Sequence, residues 1–287
     1  MPRKPRSLSL PLTPTALTVA GSDPSGGAGI QADLKVFTRF GVYGMAVPAA
    51  LTVQDTAGVQ EVADVPARVL ARQLEAVLRD IPPNAAKTGM LWSERTVETV
   101  AAAFRDARVP NLVVDPVILS STGVPLLSER GVKRLVQRLL PLATVVTPNL
   151  HEAQRLSGLE VTGLERMKEA AAAILDTGPR YVLIKGGHLR EEPIDVLFYD
   201  DAFEVFEGTR VTDRALHGTG CVLSAALTAC LAQGDAVPVA VARAKAFVEA
   251  AIQAAAPVGK GRIPLNLTAA DPADTPGTAA RRPRRKR

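Results

Sequence analysis

Short runs of apolar residues alternate along this chain with stretches in which apolar residues recur at helical spacing. TALTVAG (15–21) predicts a buried strand, and a glycine-rich turn separates it from a helix predicted near residues 28–39. MAVPAALTV (45–53) predicts a second strand, in which Pro48 indicates an edge or a bulge because proline cannot donate to a strand ladder. The chain therefore opens with a strand–helix–strand pattern.

The same alternation continues over the rest of the chain. Further predicted strands cover residues 111–116, 143–148 and 181–187, and DVLFY (195–199) with FEVFE (203–207) predicts a hairpin. Predicted helices lie around 66–78, 97–104 and 132–139, from a capping box at Thr162 and Glu165 to about 177, after Gly220, and at 238–255. This alternation predicts an α/β fold with a central, mainly parallel sheet flanked by helices on both faces. Such sheets bind ligands at the carboxyl ends of their strands.

Positive charge is concentrated at the two ends of the chain. The pI of the 287-residue chain is near 9.4, but without the basic residues of 1–6 and 281–287 the body carries a net charge of −4. We therefore expect no specific nucleic-acid partner, only weak binding of polyanions by the tail. The predicted organisation is a disordered leader (1–14), one globular domain (15–267) and a disordered basic tail (268–287).

The remaining bulk features indicate an intracellular protein that is not embedded in a membrane. No apolar run reaches the length of a spanning helix, and prolines and polar residues interrupt the leucines of the N-terminus, unlike a signal peptide. The two cysteines, Cys221 and Cys230, do not suggest a disulfide framework. A reducing, cytoplasmic location is the expectation.

HGTGC (217–221) is the most informative stretch for chemistry. Small residues precede a predicted long helix, so several backbone N–H groups and the positive end of the helix dipole can face one anion. The alternative is a glycine-rich turn without a ligand. Cys221 at the start of that helix is expected to have a lowered pKa and to act as a base or nucleophile, or else to be a small buried filler. Cys230, in mid-helix, fits the filler interpretation.

Two further loops follow predicted strands and carry acidic or amide side chains. GSDPSGGAG (21–29) matches neither the P-loop nor the dinucleotide-binding pattern, but it brings the backbone close to a ligand and contains Asp23, with Asp33 one helix away. NLHE (149–152) places Asn149 and Glu152 one helical turn apart. Such a pair can hold Mg²⁺ through water, or it can simply cap a helix.

Taken in order, these segments resemble a known enzyme family. The matching stretches are GSDPSGGAGIQADLK, ALTVQDTAGVQ, KTGML, DPVILSSTG, TPNLHEA, KGGH and HGTGCVLSAAL, within residues 15–265. They are similar to the hydroxymethylpyrimidine/phosphomethylpyrimidine kinases of thiamine biosynthesis, in the ribokinase-like superfamily. The resemblance implies a ribokinase-like α/β fold in which ATP and substrate meet at the strand ends.

The resemblance also implies a role for each residue that matches a family motif. The implied roles are substrate binding by Gly21, Asp23 and Gln54, ATP binding by Asp115, Lys185 and Thr219, metal binding by Asn149 and Glu152, and catalysis by Gly218, Gly220 and Cys221. Cys221 occupies the place of the catalytic aspartate found elsewhere in the superfamily. Ala215-Leu216 and Ser120-Ser121 depart from the family pattern, which has Asn-Thr at the first position and often a lysine near the second.

The expected function is therefore ATP-dependent phosphorylation of 4-amino-5-hydroxymethyl-2-methylpyrimidine and then of its monophosphate, with Mg²⁺. A pyridoxal or pyridoxine kinase of the same superfamily is the enzymatic alternative, and a non-catalytic ATP- or pyrimidine-binding regulator is the other. A homo-oligomer, most simply a dimer, is expected. Since no segment resembles thiamine-phosphate synthase, a fused bifunctional enzyme is not expected.

Overall fold

The computed structural model describes residues 13–120, 122–187, 193–208, 215–272 and 284–285. The strands are β1 (Thr15–Ser22), β2 (Tyr43–Asp55), β3 (Gly58–Asp64), β4 (Ala85–Thr88), β5 (Leu112–Val114), β6 (Val145–Val146), β7 (Tyr181–Ile184), β8 (Ile194–Tyr199), β9 (Ala202–Glu207), β10 (Leu216–His217), β11 (Ile263–Pro264) and β12 (Arg284–Arg285). The helices are α1 (Gly29–Arg39), α2 (Ala67–Asp80), α3 (Glu94–Asp106), α4 (Glu129–Arg134), α5 (Leu150–Ser157), α6 (Leu164–Leu175), α7 (Thr219–Ala232) and α8 (Val237–Gln253). A π-turn (Leu135–Leu139) and a 3₁₀ turn (Leu140–Leu142) extend α4.

One large sheet organises the molecule. Its strand order is β12-β9-β8-β7-β6-β5-β4-β1-β2-β3, and β10 and β11 form a separate two-stranded sheet. The strands from β2 to β7 in this order pair in parallel, while β3, β8, β9 and β12 are antiparallel. The predicted α/β class with a mainly parallel sheet and the predicted β8–β9 hairpin are confirmed.

Helices cover both faces of the sheet. Consecutive strand residues point to opposite sides, so neighbouring residues of one strand are buried in two different cores. Val113 and Val145 join a core with α1, α7 and α8, whereas Val114 and Val146 join a second core with α2, α3 and α6. Helix α7 is apolar around most of its circumference, and every residue from position 222 to 232 is buried. This central helix thereby holds its own N-terminus in a fixed place at the strand ends.

Local details depart from the sequence expectations at several points. Pro48 lies at a register shift, since Ala20 pairs with Pro48 and Gly21 with Ala50, so the predicted bulge is confirmed. The capping box at Thr162 is wrong: the N-cap of α6 is Gly163, which leaves Thr162 one residue outside the helix. Strands β3 and β4 were not predicted as elements, and helix α5 was raised only through the alternative interpretation of Asn149 and Glu152 as a helix cap.

The C-terminal boundary of the core lies beyond the predicted one. Ala270, placed in the tail by sequence, is fully buried, and its carbonyl accepts a bond from Arg39 at 2.6 Å. Most of the predicted leader and tail lies outside the described residues, so their disorder stays a prediction. Within the part of the chain that the structure describes, no helix is long and apolar enough to cross a membrane.

Candidate active site

A cavity of about 950 Å³ lies at the carboxyl ends of the parallel strands. It is lined by every residue that the sequence analysis assigned to the site: Gly21, Asp23, Gln54, Asp115, Asn149, Glu152, Lys185, Gly218, Thr219, Gly220 and Cys221. These residues come from loops that are far apart in sequence, and the parallel topology brings them to one edge of the sheet.

Asp23 organises the loop between β1 and α1. Its Oδ1 accepts bonds from the backbone N–H and hydroxyl of Ser25, at 2.9 and 2.7 Å, and its Oδ2 accepts from the N–H of Ala28 at 2.9 Å. His217 Nε2 lies 2.9 Å from the same Oδ2. Burial opposes ionisation, but these bonds outweigh it and hold the pKa of Asp23 below its ordinary value. The carboxylate therefore holds the loop and His217 in place.

The start of α7 packs directly against this loop. Gly218, the N-cap, has a φ of +85°, and a Cβ there would lie 1.9 Å from the carbonyl oxygen of Gly27. Only glycine fits this backbone conformation and this contact. The first turn of α7 thus faces the cavity with backbone N–H groups that lack partners within the helix, which is the geometry of an anion site.

Cys221 lines the cavity in the first turn of α7 and is half-buried. Burial raises the pKa of its thiol to about 11, even though the ammonium of Lys87 acts in the opposite direction. The expectation that the helix dipole lowers this pKa is therefore wrong, because loss of water is the larger effect. Cys230 is fully buried, as predicted, and burial raises its pKa to about 12.

Lys185 and Asp115 form an ion pair beside the glycines of α7. Lys185 Nζ donates to Asp115 Oδ1 at 2.9 Å, and the hydroxyls of Thr147 and Ser224 donate to the same carboxylate at 3.2 Å. Despite burial, the ammonium groups of Lys185 and Lys87 hold the pKa of Asp115 low. A Cβ at Gly220 would lie 3.2 Å from Lys185 Nζ, so the cation and the start of α7 flank one point of the cavity.

A second ion pair, which the sequence analysis missed, lies beneath α7. Lys87 Nζ is 2.6 Å from Asp33 Oδ1, and both side chains are fully buried. Thr18 donates to the other carboxylate oxygen of Asp33 at 2.6 Å, and Lys87 also lies 3.4 Å from the carbonyl of Cys221. Burial alone would lower the pKa of Lys87, but the carboxylate of Asp33 outweighs it and keeps the ammonium charged. The ammonium of Lys87 therefore contacts the first turn of α7 through the carbonyl oxygen of Cys221.

Asn149 and Glu152 form a reciprocal capping box at the start of α5. Asn149 Oδ1 accepts from the N–H of Glu152 at 2.9 Å, and Glu152 Oε2 accepts from the N–H of Asn149 at 2.8 Å. The helix-cap interpretation is thus confirmed as a structural role. Burial raises the pKa of Glu152 to about 7, with Asp115 adding to the effect and Lys185 opposing it.

Gln54 lies near the end of β2, where alternate residues face the cavity. Thr52 and Gln54 line the cavity, whereas Leu51 and Val53 are each 50% exposed. The amide of Gln54 contacts Thr52 Oγ1 at 3.0 Å and His217 Nε2 at 3.2 Å. His217 was quoted in the HGTGC motif without a role, and its contacts with Asp23 and Gln54 arise only in the folded chain.

The two departures from the family pattern also lie at the cavity. Ala215 and Leu216 line it with apolar side chains. Ser120 lines it too, but its hydroxyl accepts bonds from the N–H groups of Thr122 and Val124, at 3.2 and 2.9 Å, and so stabilises its own turn. Ser121 lies outside the described residues.

Comparison with known proteins agrees with the resemblance noted in the sequence. The chain matches the phosphomethylpyrimidine kinase family over residues 23–266. The hydroxymethylpyrimidine/phosphomethylpyrimidine kinase of Streptomyces coelicolor is 45% identical over 257 residues, which cover 89% of this chain and 95% of that protein. The thiamine biosynthesis bifunctional protein ThiED of Geobacter sulfurreducens is 47% identical over 253 residues, 88% of this chain, and the chain spans 52% of that longer protein.

Solved structures include relatives with two different names. The phosphomethylpyrimidine kinase of Clostridium difficile is 41% identical, with a TM-score of 0.75, and the match covers 83% of this chain and 99% of that one. The pyridoxal kinase of Staphylococcus aureus in complex with ADP is 37% identical, with a TM-score of 0.84, and the match covers 90% and 94%. Both are ribokinase-like kinases, so the predicted fold family is confirmed.

Proposed function

The chain belongs to the phosphomethylpyrimidine kinase family, and we propose on that premise that it phosphorylates 4-amino-5-hydroxymethyl-2-methylpyrimidine with ATP, and then the monophosphate so formed. The observation that carries this proposal is the content of one cavity, which holds the Lys185–Asp115 pair, the N-terminus of α7 and the amide of Gln54. These groups supply a cation, backbone donors for a phosphate and a polar contact for a ring.

ATP occupies the part of the cavity with apolar walls and the cation. The apolar side chains of Leu216, Leu223, Val248 and Ile252 are among those that line the cavity, and they suit an adenine ring. The triphosphate extends towards Lys185, and the γ-phosphate meets the first turn of α7 at Gly218, Thr219 and Gly220. Charge that develops on the transferred group is stabilised there by fixed N–H donors and by the ammonium of Lys185, without reorganisation of the site.

Mg²⁺ fits the oxygen donors near the phosphates. Among the described residues no group of three or more His, Cys, Asp or Glu side chains forms a metal site of its own. Asp115 and Glu152 are two carboxylates at the cavity, which suits an ion that keeps most of its waters and arrives with the nucleotide. They and the amide of Asn149 would hold the ion, which when bound neutralises phosphate charge.

The substrate ring lies against Gln54 and Gly21, with its hydroxymethyl group directed towards Cys221. A Cβ at Gly21 would lie 3.1 Å from Met90 Sδ, so glycine at this position lets Met90 pack closely against the end of β1. Cys221 is the group that handles the proton of the attacking hydroxyl. Its thiol is neutral at pH 7 because burial raises the pKa to about 11, so the thiolate form is the reactive minority.

Turnover of ATP with three acceptors side by side tests this function. Release of ADP would be measured with the hydroxymethylpyrimidine, its monophosphate and pyridoxal, each with Mg²⁺ and again with EDTA. We expect kcat/KM to be highest for the pyrimidine and its monophosphate, and EDTA to abolish turnover. Preference for pyridoxal would instead favour the activity named for the Staphylococcus aureus relative. ADP release with none of the three would refute the proposed function.

A further inference from the structure

His217 stands between two polar residues of the substrate end of the cavity. Its Nε2 lies 2.9 Å from Asp23 Oδ2 and 3.2 Å from the amide of Gln54. The ring packs so closely on the loop that a Cβ at Gly27 would lie 2.6 Å from its Cδ2 atom. Its backbone is fixed as well, because His217 pairs with Pro264 between β10 and β11. The imidazole therefore has one position.

The bonds of Asp23 determine which nitrogen of His217 carries the proton. Both carboxylate oxygens already accept from the loop, and the carboxylate is ionised, so it can only accept from His217. Nε2 must then carry a hydrogen. The Nε2–H tautomer donates to Asp23, and the same hydrogen also faces Gln54 at the longer distance.

This proton in turn fixes the orientation of the Gln54 amide. With its nitrogen towards His217, the amide would set one N–H against another. Its oxygen would then face Thr52 Oγ1, whose hydroxyl hydrogen is already directed to the carbonyl of Ser22 at 2.8 Å. Rotating the amide by 180° resolves both conflicts, since its oxygen accepts from His217 and its nitrogen donates to Thr52.

We propose that His217 is a positioning residue that fixes the Gln54 amide, with Asp23 fixing His217, and that this chain of contacts sets substrate preference. The inference rests on the proposed function. In the fixed orientation the amide has one N–H and one oxygen lone pair left for a ligand. A 4-aminopyrimidine offers the complement, a ring nitrogen that accepts beside an amine that donates. In pyridoxal no amine stands beside the ring nitrogen, which is flanked by a methyl-bearing carbon and a C–H.

The tautomer can be observed without any kinetic assay. The chain has three histidines, so long-range ¹H–¹⁵N spectra of the full-length protein would show three imidazole patterns, and His217→Gln would identify the one from His217. We expect the Nε2–H tautomer at pH 7.5. A predominant Nδ1–H tautomer would overturn the inference, because Nε2 could not donate to Asp23.

A double-mutant cycle tests the coupling to Gln54. His217→Leu should raise KM for the pyrimidine roughly 5- to 30-fold and leave KM for ATP unchanged, because Gln54 loses its orientation. His217→Gln, whose amide nitrogen can replace Nε2, should recover most of the affinity. In a Gln54→Leu background the His217→Leu change should have almost no further effect on KM.

Several outcomes would count against the inference alone. Additive effects of His217→Leu and Gln54→Leu, or equal rises in KM for the pyrimidine and for ATP, would show that His217 only supports the fold. The proposed function would be unaffected if the native protein still phosphorylates the pyrimidine. Melting temperatures of all variants would be measured alongside. If His217→Leu unfolds, the cycle is run with His217→Gln and His217→Asn instead. The asparagine amide is shorter and reaches only the position of Nδ1, so a similar KM for the pyrimidine in both variants would refute the proposed chain of contacts.

Discussion

Charges converge on Lys185 at the scale of single residues. Asp115 is its direct partner at 2.9 Å, and the carboxyl of Glu152 also attracts it. One ammonium thus serves two buried carboxyls, and Asp115, with the better geometry, is the one that ionises readily. This explains why the pKa of Asp115 is lowered while burial raises that of Glu152 to about 7. An incoming phosphate competes with both for the same cation.

Glu152→Gln should remove a pH dependence of stability. The pKa of Glu152 is about 7 in the folded chain against an ordinary 4.5, so the folded state keeps this proton at pH values where the unfolded state has lost it. Its contribution is complete below about pH 4.5 and is lost as the pH rises through about 7, a change on the order of 3 kcal/mol. Urea unfolding from pH 4.5 to 8 should show the native protein losing stability relative to Glu152→Gln.

The glutamine keeps the oxygen that caps α5, so the comparison isolates the proton. Glu165→Gln, which removes an exposed carboxyl from the first turn of α6, is the matched control. Parallel stability curves for native protein and Glu152→Gln would contradict the prediction.

If Cys221 is the base, the rate of phosphoryl transfer should rise with pH. If the thiolate accepts the substrate proton and the pKa is about 11, about one molecule in ten thousand is active at pH 7, and the rate of the chemical step should rise nearly tenfold per pH unit up to about pH 9. Single-turnover rates would measure this step. Cys221→Ala should be slower by about 10²–10⁴-fold at pH 9, with a flat profile.

Two variants separate the proton role from packing. Cys221→Ser fills nearly the same space but does not ionise in this range, and Cys221→Asp should recover part of the rate near pH 7. Alkylation should reach Cys221 before the fully buried Cys230, and ATP with substrate should slow it. A native-like rate in Cys221→Ser would show that the thiol is a filler.

At the scale of elements, the turn into α7 is the least replaceable part of the site. Gly218→Ala should lower kcat strongly and destabilise the fold. A Cβ there would lie 1.9 Å from the carbonyl oxygen of Gly27, so the β1–α1 loop and the start of α7 would have to move apart. Gly234→Ala, just beyond the other end of α7, is the matched control. Its φ of +96° is also left-handed, but no atom lies within 4 Å of its Cβ position.

The control variant should pay only the backbone strain of about 1–2 kcal/mol and keep native kinetics. Melting temperature and ADP release would be measured for both variants. Equal loss of activity in the two would show that left-handed strain, and not the contact with the β1–α1 loop, explains the effect of Gly218→Ala.

Elements with a regular apolar pattern could be predicted from sequence, and the others could not. TALTVAG and the turn into α7 carry their signal locally. β3 (GVQEVAD) lies at the sheet edge without clean alternation, and β4 (AAKT) contains a charged residue, so neither stands out. Lys87 and His217 were missed because a single lysine or histidine has no spacing to interpret. Their partners Asp33 and Asp23 lie 54 and 194 residues away, and only the fold reveals them.

At the scale of the whole molecule, the parallel sheet gathers the site from distant parts of the chain, whereas the basic residues are concentrated in sequence at its two ends. The cavity residues come from most of the chain between Ala20 and Arg262, which is why no single motif was decisive. The residues that give the chain its high pI lie mainly in the first six and last seven positions, outside that range. Because these basic residues lie outside the part of the sequence that lines the cavity, catalysis and polyanion binding should be separable. The expected dimer stays a prediction, which light scattering can test.

Deleting residues 273–287 should leave folding and catalysis intact and weaken binding to polyanions. The deletion removes six basic residues and one aspartate, so the formal net charge falls from +5 to zero, while Ala270 and its bond to Arg39 remain. It also removes β12, a two-residue strand at the sheet edge, which should cost little stability.

Deletion from residue 268 should instead lower the melting temperature, because the buried Ala270 is lost. Heparin retention, melting temperature and kcat/KM of both truncations would be compared with the full chain. Reduced kcat/KM in the shorter deletion would show that the tail contributes to the active site.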